Sequence, residues 1–318
     1  MISVIVPAYN VEKSIAHCLQ ALLDQTMPRD AYEVIVVDDG SRDATYKIAQ
    51  SFGVRVLLQK NGGAAAARNL GAQNARGDIV IFIDADSVPD KSWLEKMITP
   101  FSNAEIVGAS GEKKTRQTNL WAQYVQIEYD YKYDLMRAHA YTDFIDSSTA
   151  AYRRAVFVQN GGFDTSFMEA EDTELSFRLA ERGYKMVLLR DAIVYHMHPT
   201  SLWEYLRRKV QYSRWRAVVY RKFPNKVTSE TRTPWAQKLQ IPVAFGILLF
   251  VAGALVWNAL AWVALFFALV FFATTLAFVR YASPRRSAVA FVAPLTMWLA
   301  AYANGAGAML GFVYRGKS

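Results

Sequence analysis

Residues 239–279 carry no charged side chain, an uninterrupted run of 41. A buried soluble hairpin fits this run poorly, because helices of soluble proteins keep a polar stripe. As helix it would extend roughly 60 Å at about 1.5 Å per residue, enough to cross a ~30 Å hydrocarbon core twice. Trp257 and Asn258 are the expected turn, with Trp257 and Trp262 at interfacial depth. A second uncharged run, residues 287–314, is long enough for a third crossing, although Pro294 and the group Asn304, Gly305 and Gly307 interrupt it. The expected transmembrane region is 234–318, with spans near 239–257, 259–279 and 288–312.

The net charge of +8 is distributed unevenly. Residues 1–200 hold 21 basic and 26 acidic side chains, whereas 201–232 hold nine basic and two acidic. From Thr233 onward there are six basic residues and no acidic one. Positive charge placed beside an apolar region suits membrane lipids as a partner and argues against nucleic acid. Residues 201–233 therefore read as a basic, amphipathic interfacial segment, and 1–200 as the soluble domain that precedes it. Cys18 is the only cysteine, which rules out an intrachain disulfide and fits a reducing compartment. The opening MISVIVPAYN has neither a basic region nor a long apolar core, so it does not read as a signal peptide. The expectation is a multi-pass protein of the cell (inner or plasma) membrane with residues 1–200 on the cytoplasmic side. Two basic stretches, 201–232 and the loop with Arg280, Arg285 and Arg286, then share that side. A full third crossing would carry Arg315 and Lys317 outward, against the positive-inside bias. The length of 287–314 favours three crossings; a turn back near 304–307 is the alternative.

Within 1–200, short β-branched runs at 2–6, 33–37, 54–58 and 79–83 alternate with helix-like stretches at 12–23, 43–52 and 64–75. Strands alternating with crossover helices imply a mostly parallel, doubly wound α/β sheet, whose ligands bind beyond the carboxyl ends of the strands. Asp38 and Asp39 follow the second run; Asp84 and Asp86 follow the fourth. Two acidic pairs at one mouth repel each other unless a cation lies near, and Mg²⁺ or Mn²⁺ accepts both carboxylate and phosphate oxygens. Either pair alone could equally cap a turn. Pro7-Ala8-Tyr9-Asn10 after the first run is neither a Gly-x-Gly-x-x-Gly nor a Walker loop, which weakens dehydrogenase and P-loop readings. Gly62-Gly63 before Arg68 fits a tight loop as well as a ligand contact.

Glu171 and Asp172 open a helix-like stretch closed by Gly183, where the helix dipole favours ionised carboxylates. That suits a general base, and it suits simple charge complementation as well. Gln211, Arg214 and Trp215 share one helix face: a guanidinium to fork onto phosphate and an indole to stack on a sugar, or an interfacial helix with snorkelling Arg and membrane-seeking Trp. His196 and His198 follow a strand-like run at alternate positions; His196 is a candidate metal ligand and His198 reads better as structural.

Taken in order, SVIVPAYN, VVDDGSRD, GGAAAARNLGA, GDIVIFIDADS, GGFDTSFMEAEDTELSFRLAERGY and QYSRW resemble the family-2 inverting glycosyltransferases of GT-A fold over roughly residues 1–215. Among them the chain looks most like the membrane-bound succinoglycan-type exopolysaccharide enzymes. The resemblance implies a nucleotide-sugar donor, UDP before GDP, and a lipid-linked or polysaccharide acceptor. It places Pro7, Ala8, Tyr9, Asp38, Asp39 and Arg68 around the nucleoside, Asp84 at ribose or diphosphate, and Asp86 on a divalent cation, Mn²⁺ or Mg²⁺. Asp172 would be the catalytic base, with Glu171 beside it. Gln211, Arg214 and Trp215 match the Gln-x-x-Arg-Trp motif of cellulose and hyaluronan synthases, near diphosphate and acceptor. Tyr212 and Ser213 depart from the Arg-rich version of that motif, which leaves processivity open. The oligomeric state is open too, a homo-oligomer being one option. The competing readings are a polyprenyl-phosphate glycosyltransferase similar to dolichyl-phosphate-mannose synthase, a nucleotidyltransferase of like fold, and a non-catalytic membrane scaffold. Pro7-Ala8-Tyr9-Asn10 argues against the nucleotidyltransferase, and the presence of Asp86 with Asp172 against the scaffold.

Overall fold

The computed structural model describes residues 1–314. Arg315 and Lys317, on which the expected position of the tail turned, and Ser318 lie outside the described residues. The chain forms two compact units: Met1–Arg116 with Met136–Met197, and Gln117–Leu135 with His198 onward.

The first unit is an eight-stranded mixed sheet with helices on both faces. Its strands are β1 (Ile2–Ala8), β2 (Tyr32–Asp38), β3 (Arg55–Leu58), β4 (Ile79–Ile83), β5 (Val88–Pro89), β6 (Ile106–Lys114), β7 (Thr149–Arg153) and β8 (Lys185–Tyr195), in the spatial order β3-β2-β1-β4-β7-β6-β8-β5. The first four are the apolar runs expected from sequence, and they pair in parallel. Their side chains alternate between two cores, as the two-residue period of a strand requires. Val4, Val6, Ile81 and Ile83 join one core with Ile15, Leu19 and Leu22 of α1 (Ile15–Leu23) and Trp93 and Met97 of α4 (Trp93–Ile98). Ile5, Val80 and Phe82 join the other with Ala67 of α3 (Ala64–Asn74), Phe157 of α6 (Arg154–Gln159) and Leu175 of α7 (Glu171–Glu181). Between α1 and α3 lies α2 (Thr45–Ser51).

The sheet is less parallel than the first half of the sequence implies. β7 lies antiparallel between β4 and β6, and β5 is antiparallel to β8. Neither β6 nor β7 announces itself. β6 reads IVGASGEKK, poor in the β-branched residues that favour strands. Its Gly111 is there because the neighbouring strand comes close: a Cβ would sit 2.3 Å from the carbonyl oxygen of Ala192 in β8.

The second unit is helical. It contains α5 (Leu120–Met136), α8 (Leu202–Lys222), the short α9 (Lys226–Ser229), α10 (Trp235–Ala254), α11 (Leu260–Ala282) and α12 (Ser287–Val313). The hydroxyl of Ser201 caps α8 by accepting the Glu204 N–H at 3.2 Å, and the Glu204 carboxylate accepts the Thr200 N–H at 3.0 Å. α10, α11 and α12 are each long and apolar enough to cross a membrane. α10 and α11 form a hairpin whose tip exposes Leu255, Val256 and Trp257. α12 runs unbroken through Asn304–Gly307, so the turn back considered for those residues does not form.

α12 lies against α8 with backbone nearly touching backbone. A Cβ added at Gly311 would stand 2.1 Å from the carbonyl oxygen of Arg214. Gly311→Leu is therefore expected to push the helices apart and destabilise the protein by about 1–3 kcal/mol, the usual cost of overpacking. Thermal unfolding of the purified, detergent-solubilised variant would show it; an unchanged midpoint would mean that the close approach is not made.

Candidate active site

The carboxyl ends of β1, β2 and β4 open onto a cleft of about 280 Å³ lined by Pro7, Ala8, Tyr9, Val11, Asp39, Ala64, Ala67, Arg68, Asp84, Ala85 and Asp86. Parallel pairing of these three strands puts their ends side by side, which is why residues 30 to 80 positions apart meet. The loop after β1 is held by its neighbour after β2. Asn10, at φ +52°, accepts the Arg42 N–H through its side chain, and its own N–H donates to the Ser41 hydroxyl. Tyr9 is left exposed at the rim.

The two acids of the first pair do different work. Asp38 is buried and accepts the Ser41 N–H at 2.8 Å, which shapes the turn. Asp39 reaches the cleft wall and accepts from the Gly62 and Gly63 N–H groups at 2.7 and 2.8 Å and from Gln59 Nε2 at 2.6 Å. It thereby satisfies donors that the start of α3 leaves open.

The second pair faces an imidazole. β5 pairs with β8 so that Val88 lies opposite Tyr195, which brings His196 beside Asp86, with Nε2 to Oδ2 at 3.6 Å. Asp84, Asp86 and His196 each offer one ligand atom, all within 4.8 Å of one another. Two carboxylate oxygens and an imidazole nitrogen form a donor set that fits a divalent ion such as Mn²⁺. Burial, with the Lys113 ammonium adding, lowers the His196 pKa, against the pull of Asp86 and Asp84. A neutral imidazole is the form that binds metal. Lys113 itself is buried and paired with Asp146 at 2.8 Å, a feature with no signal in the sequence because β6 was not legible. Cys18 lies behind the acid pair, its thiol directed at the Asp84 carbonyl oxygen; burial raises its pKa strongly, with Asp86 and Asp84 adding, so it is no nucleophile.

Arg68 ties the donor side to α7. Its guanidinium contacts Asp84 at 2.7 Å and Glu171 at 2.8 Å, and its Nε–H is buried without a partner. Burial works to lower the Arg68 pKa, but Asp84 and Glu171 outweigh it, so the charge is secure. Removing one member of a buried pair typically costs about 3–5 kcal/mol, so Arg68 holds the cleft wall together whatever else it contacts. Burial pushes Glu171 up to about 7, opposed by Arg68 and assisted by Asp172 and Asp84. Asp172 is only half-buried; its carboxylate accepts the Thr173 N–H at 2.6 Å and approaches the Ser147 N–H at 3.5 Å. Of the two, Asp172 is the more accessible and Glu171 the more occupied.

Gln211, Arg214 and Trp215 lie on α8 in the second unit. Gln211 is exposed, Arg214 half-buried. Trp215 is buried, its ring 5.3 Å from that of Tyr314, and Arg214 sits 5.0 Å over the same tyrosine. The indole face expected to meet a sugar is thus packed on protein. His198 is buried, stacked on Tyr129 at 5.5 Å with Nε2 3.2 Å from Gln126 Oε1, a structural setting.

Comparison with known proteins gives the family and the fold. AglE, a glycosyltransferase of Haloferax volcanii, is 30% identical over 209 residues, 61% of this chain and 66% of AglE. A dolichyl N-acetyl-alpha-D-glucosaminyl phosphate 3-beta-D-2,3-diacetamido-2,3-dideoxy-beta-D-glucuronosyltransferase of Methanococcus voltae is 22% identical over 238 residues, 70% of this chain and 74% of that protein. The solved structure of the mannosyltransferase PcManGT from Pyrobaculum calidifontis, in complex with GDP-Man and Mn²⁺, superposes with a TM-score of 0.63 at 20% identity, covering 98% of this chain and 87% of PcManGT. That likeness speaks for the fold, which is GT-A-like. The profile of glycosyl transferase family 2 matches residues 3–161. The chain belongs to glycosyl transferase family 2.

Proposed function

We propose that the chain transfers a sugar from a nucleotide-sugar donor, a UDP-sugar in the first instance, to a lipid-linked or polysaccharide acceptor at a membrane, with inversion at the anomeric carbon. The observation that carries the reading is the convergence of Asp39, Arg68, Asp84 and Asp86 in one cleft, with His196 beside Asp86. Pro7, Ala8 and Tyr9 line the wall against which the base and ribose would rest, and Asp38 would act through the turn it shapes at Ser41. A divalent cation held by Asp86, Asp84 and His196 would offset the charge of the diphosphate and of the departing nucleoside diphosphate. Asp172 would take the proton of the acceptor hydroxyl as its oxygen attacks the anomeric carbon from the side opposite the leaving group. Glu171, tied to Arg68, would position the cleft rather than exchange protons. Arg214 and Gln211 would meet the diphosphate or the acceptor, with Trp215 and Tyr314 orienting Arg214. The catalytic domain would comprise residues 1–200. A lipid-linked acceptor is supported by the apolar helices α10 to α12 and by the name of the Methanococcus relative, whose acceptor is a dolichyl N-acetyl-alpha-D-glucosaminyl phosphate, a sugar already carried on a lipid phosphate.

Calorimetric titration of the purified protein with UDP, GDP and ADP, with and without Mn²⁺, tests the donor side. The expected result is metal-dependent binding of UDP or GDP that weakens in Asp86→Ala. Equal affinity for all three nucleotides, unchanged by chelator, would overturn this assignment of the cleft.

A further inference from the structure

We propose that α12 does not cross the membrane but lies along its surface, with α8 as its polar cover, and that the α10–α11 hairpin alone spans the bilayer. The inference goes beyond the assignment of donor and acceptor and holds whatever the sugar is.

Among the described residues the pairing of α8 with α12 is the most extensive between any two elements, and the two helices run in the same direction, from Gly307 at Val210 to Tyr314 at Arg221. Asn304 accepts the Ser213 hydroxyl at its carbonyl, Gly307 lies against the Val210 carbonyl, and Gly311 lies against the Arg214 carbonyl. Arg221 then donates to the carbonyls of Phe312 and Tyr314 at 3.2 and 2.9 Å. From Tyr205 beside Met297 and Ala300 to Arg221 at Tyr314, α12 stays on α8, so the two helices must share one path. α8 cannot enter hydrocarbon: its 21 residues hold Arg207, Arg208, Lys209, Arg214, Arg216, Arg221 and Lys222. A span by α12 would draw these charges through the bilayer centre, where each is strongly disfavoured. Both ends of α12 stand by basic side chains, Arg285 and Arg286 at its start and Arg221 at its finish. Its middle shares a small cavity with Lys209 and Glu128, which are ion-paired at 2.6 Å.

The two faces of α12 differ in the way a surface helix requires. Ala290, Ala293, Ala300, Ala301, Gly305, Gly307 and Gly311 are buried against protein. Phe291, Leu295, Met309 and Val313 recur on another side at helical spacing, and all four are exposed. A large apolar stripe backed by a basic helix matches an acyl–headgroup boundary. α10 and α11 behave differently: they expose apolar side chains along their length and at the tip, including Leu249, Val256 and Phe266, as lipid-embedded helices should. They meet α12 part-way along their length: Tyr302 donates to the carbonyl of Ala244, six residues past Lys238 of α10. α12 is also the most covered of the three, 44% against 17% and 22% for the most apolar windows of α10 and α11. On this arrangement the end of α12 stays on the side of α8, and the positive-inside conflict disappears.

The test uses single cysteines in the full-length chain expressed in cells. Cys18 is fully buried and serves as the silent background. Asn258→Cys, Ser283→Cys and Val313→Cys are exposed to a membrane-impermeant maleimide before and after permeabilisation. Labelling of Asn258→Cys alone in intact cells is expected, with Ser283→Cys reached only after permeabilisation. Labelling of Val313→Cys in intact cells would overturn the proposal. Because a cysteine at position 313 could be shielded by lipid, nitroxides at positions 291, 295, 309 and 313 in reconstituted vesicles give the depth directly. One constant, shallow depth is expected. Depth that rises by about 1.5 Å per residue to the bilayer centre and falls again would establish a third crossing. Spin–spin broadening between chains at these positions, in place of oxygen access, would mean that a second copy covers the stripe, and would equally overturn the lipid assignment.

Discussion

Asp86→Ala is expected to abolish sugar transfer while leaving the fold intact. The side chain is 48% exposed and stands at the mouth of the sheet, outside both apolar cores. Substitutions at such positions usually move stability by less than about 0.5 kcal/mol. The loss would come from the site: with Asp86 gone, His196 and Asp84 are left as the only members of the three-residue donor set. EDTA should inactivate the wild-type enzyme in the same way, and Mn²⁺ or Mg²⁺ should restore it, whereas neither should revive the variant. Circular dichroism and thermal unfolding would separate this outcome from misfolding. Full activity of the wild type in a chelator would remove the cation from the account.

Asp172→Asn keeps the shape of the side chain and its acceptance of the Thr173 N–H, but removes the proton acceptor. Transfer is expected to fall by about 10²–10⁴-fold, the usual contribution of a general base, with donor affinity unchanged. Glu171→Gln is the informative partner. Glu171 is buried and ion-paired to Arg68, so its loss disturbs the cleft wall and should weaken donor binding and stability. Kinetics with the donor and acceptor varied separately distinguish the two. If Asp172→Asn abolishes nucleotide binding while Glu171→Gln affects only turnover, the two roles are exchanged.

How much of this was legible in the sequence depends on what each feature rests on. β1, β2 and β4 were, because strands buried on both faces are continuous apolar runs such as IVIFI, and the edge strand β3 was through its short apolar run VLL. β6 and β7 were not, because GASGEKK and TAAYR owe their strand state to neighbours rather than to composition. Asp84 and Asp86 could be picked out as acids ending a buried strand. Their proximity to His196, 110 positions later, follows from the antiparallel β5–β8 pairing, which alternation of strands and helices does not reveal. The tie from Arg68 to both Asp84 and Glu171 is likewise a tertiary fact. Trp215 could be seen to share a face with Arg214, but burial against Tyr314 depends on α12, nearly a hundred residues away. The glycines of α12 looked like interruptions of a span. In the fold they are what allows its backbone to lie on α8.

Mass spectrometry of the lipid-extracted products, after incubation of membranes containing the protein with a panel of nucleotide sugars, tests the central claim most directly. The account predicts one donor that gives a lipid-linked or polymeric product heavier by a sugar residue, with an equal amount of nucleoside diphosphate released, and neither signal in Asp86→Ala or Asp172→Asn. Sugar transfer that persists in both variants would contradict the assigned site. Absence of any glycosylated product, with no nucleoside diphosphate released from any donor, would contradict the claim itself.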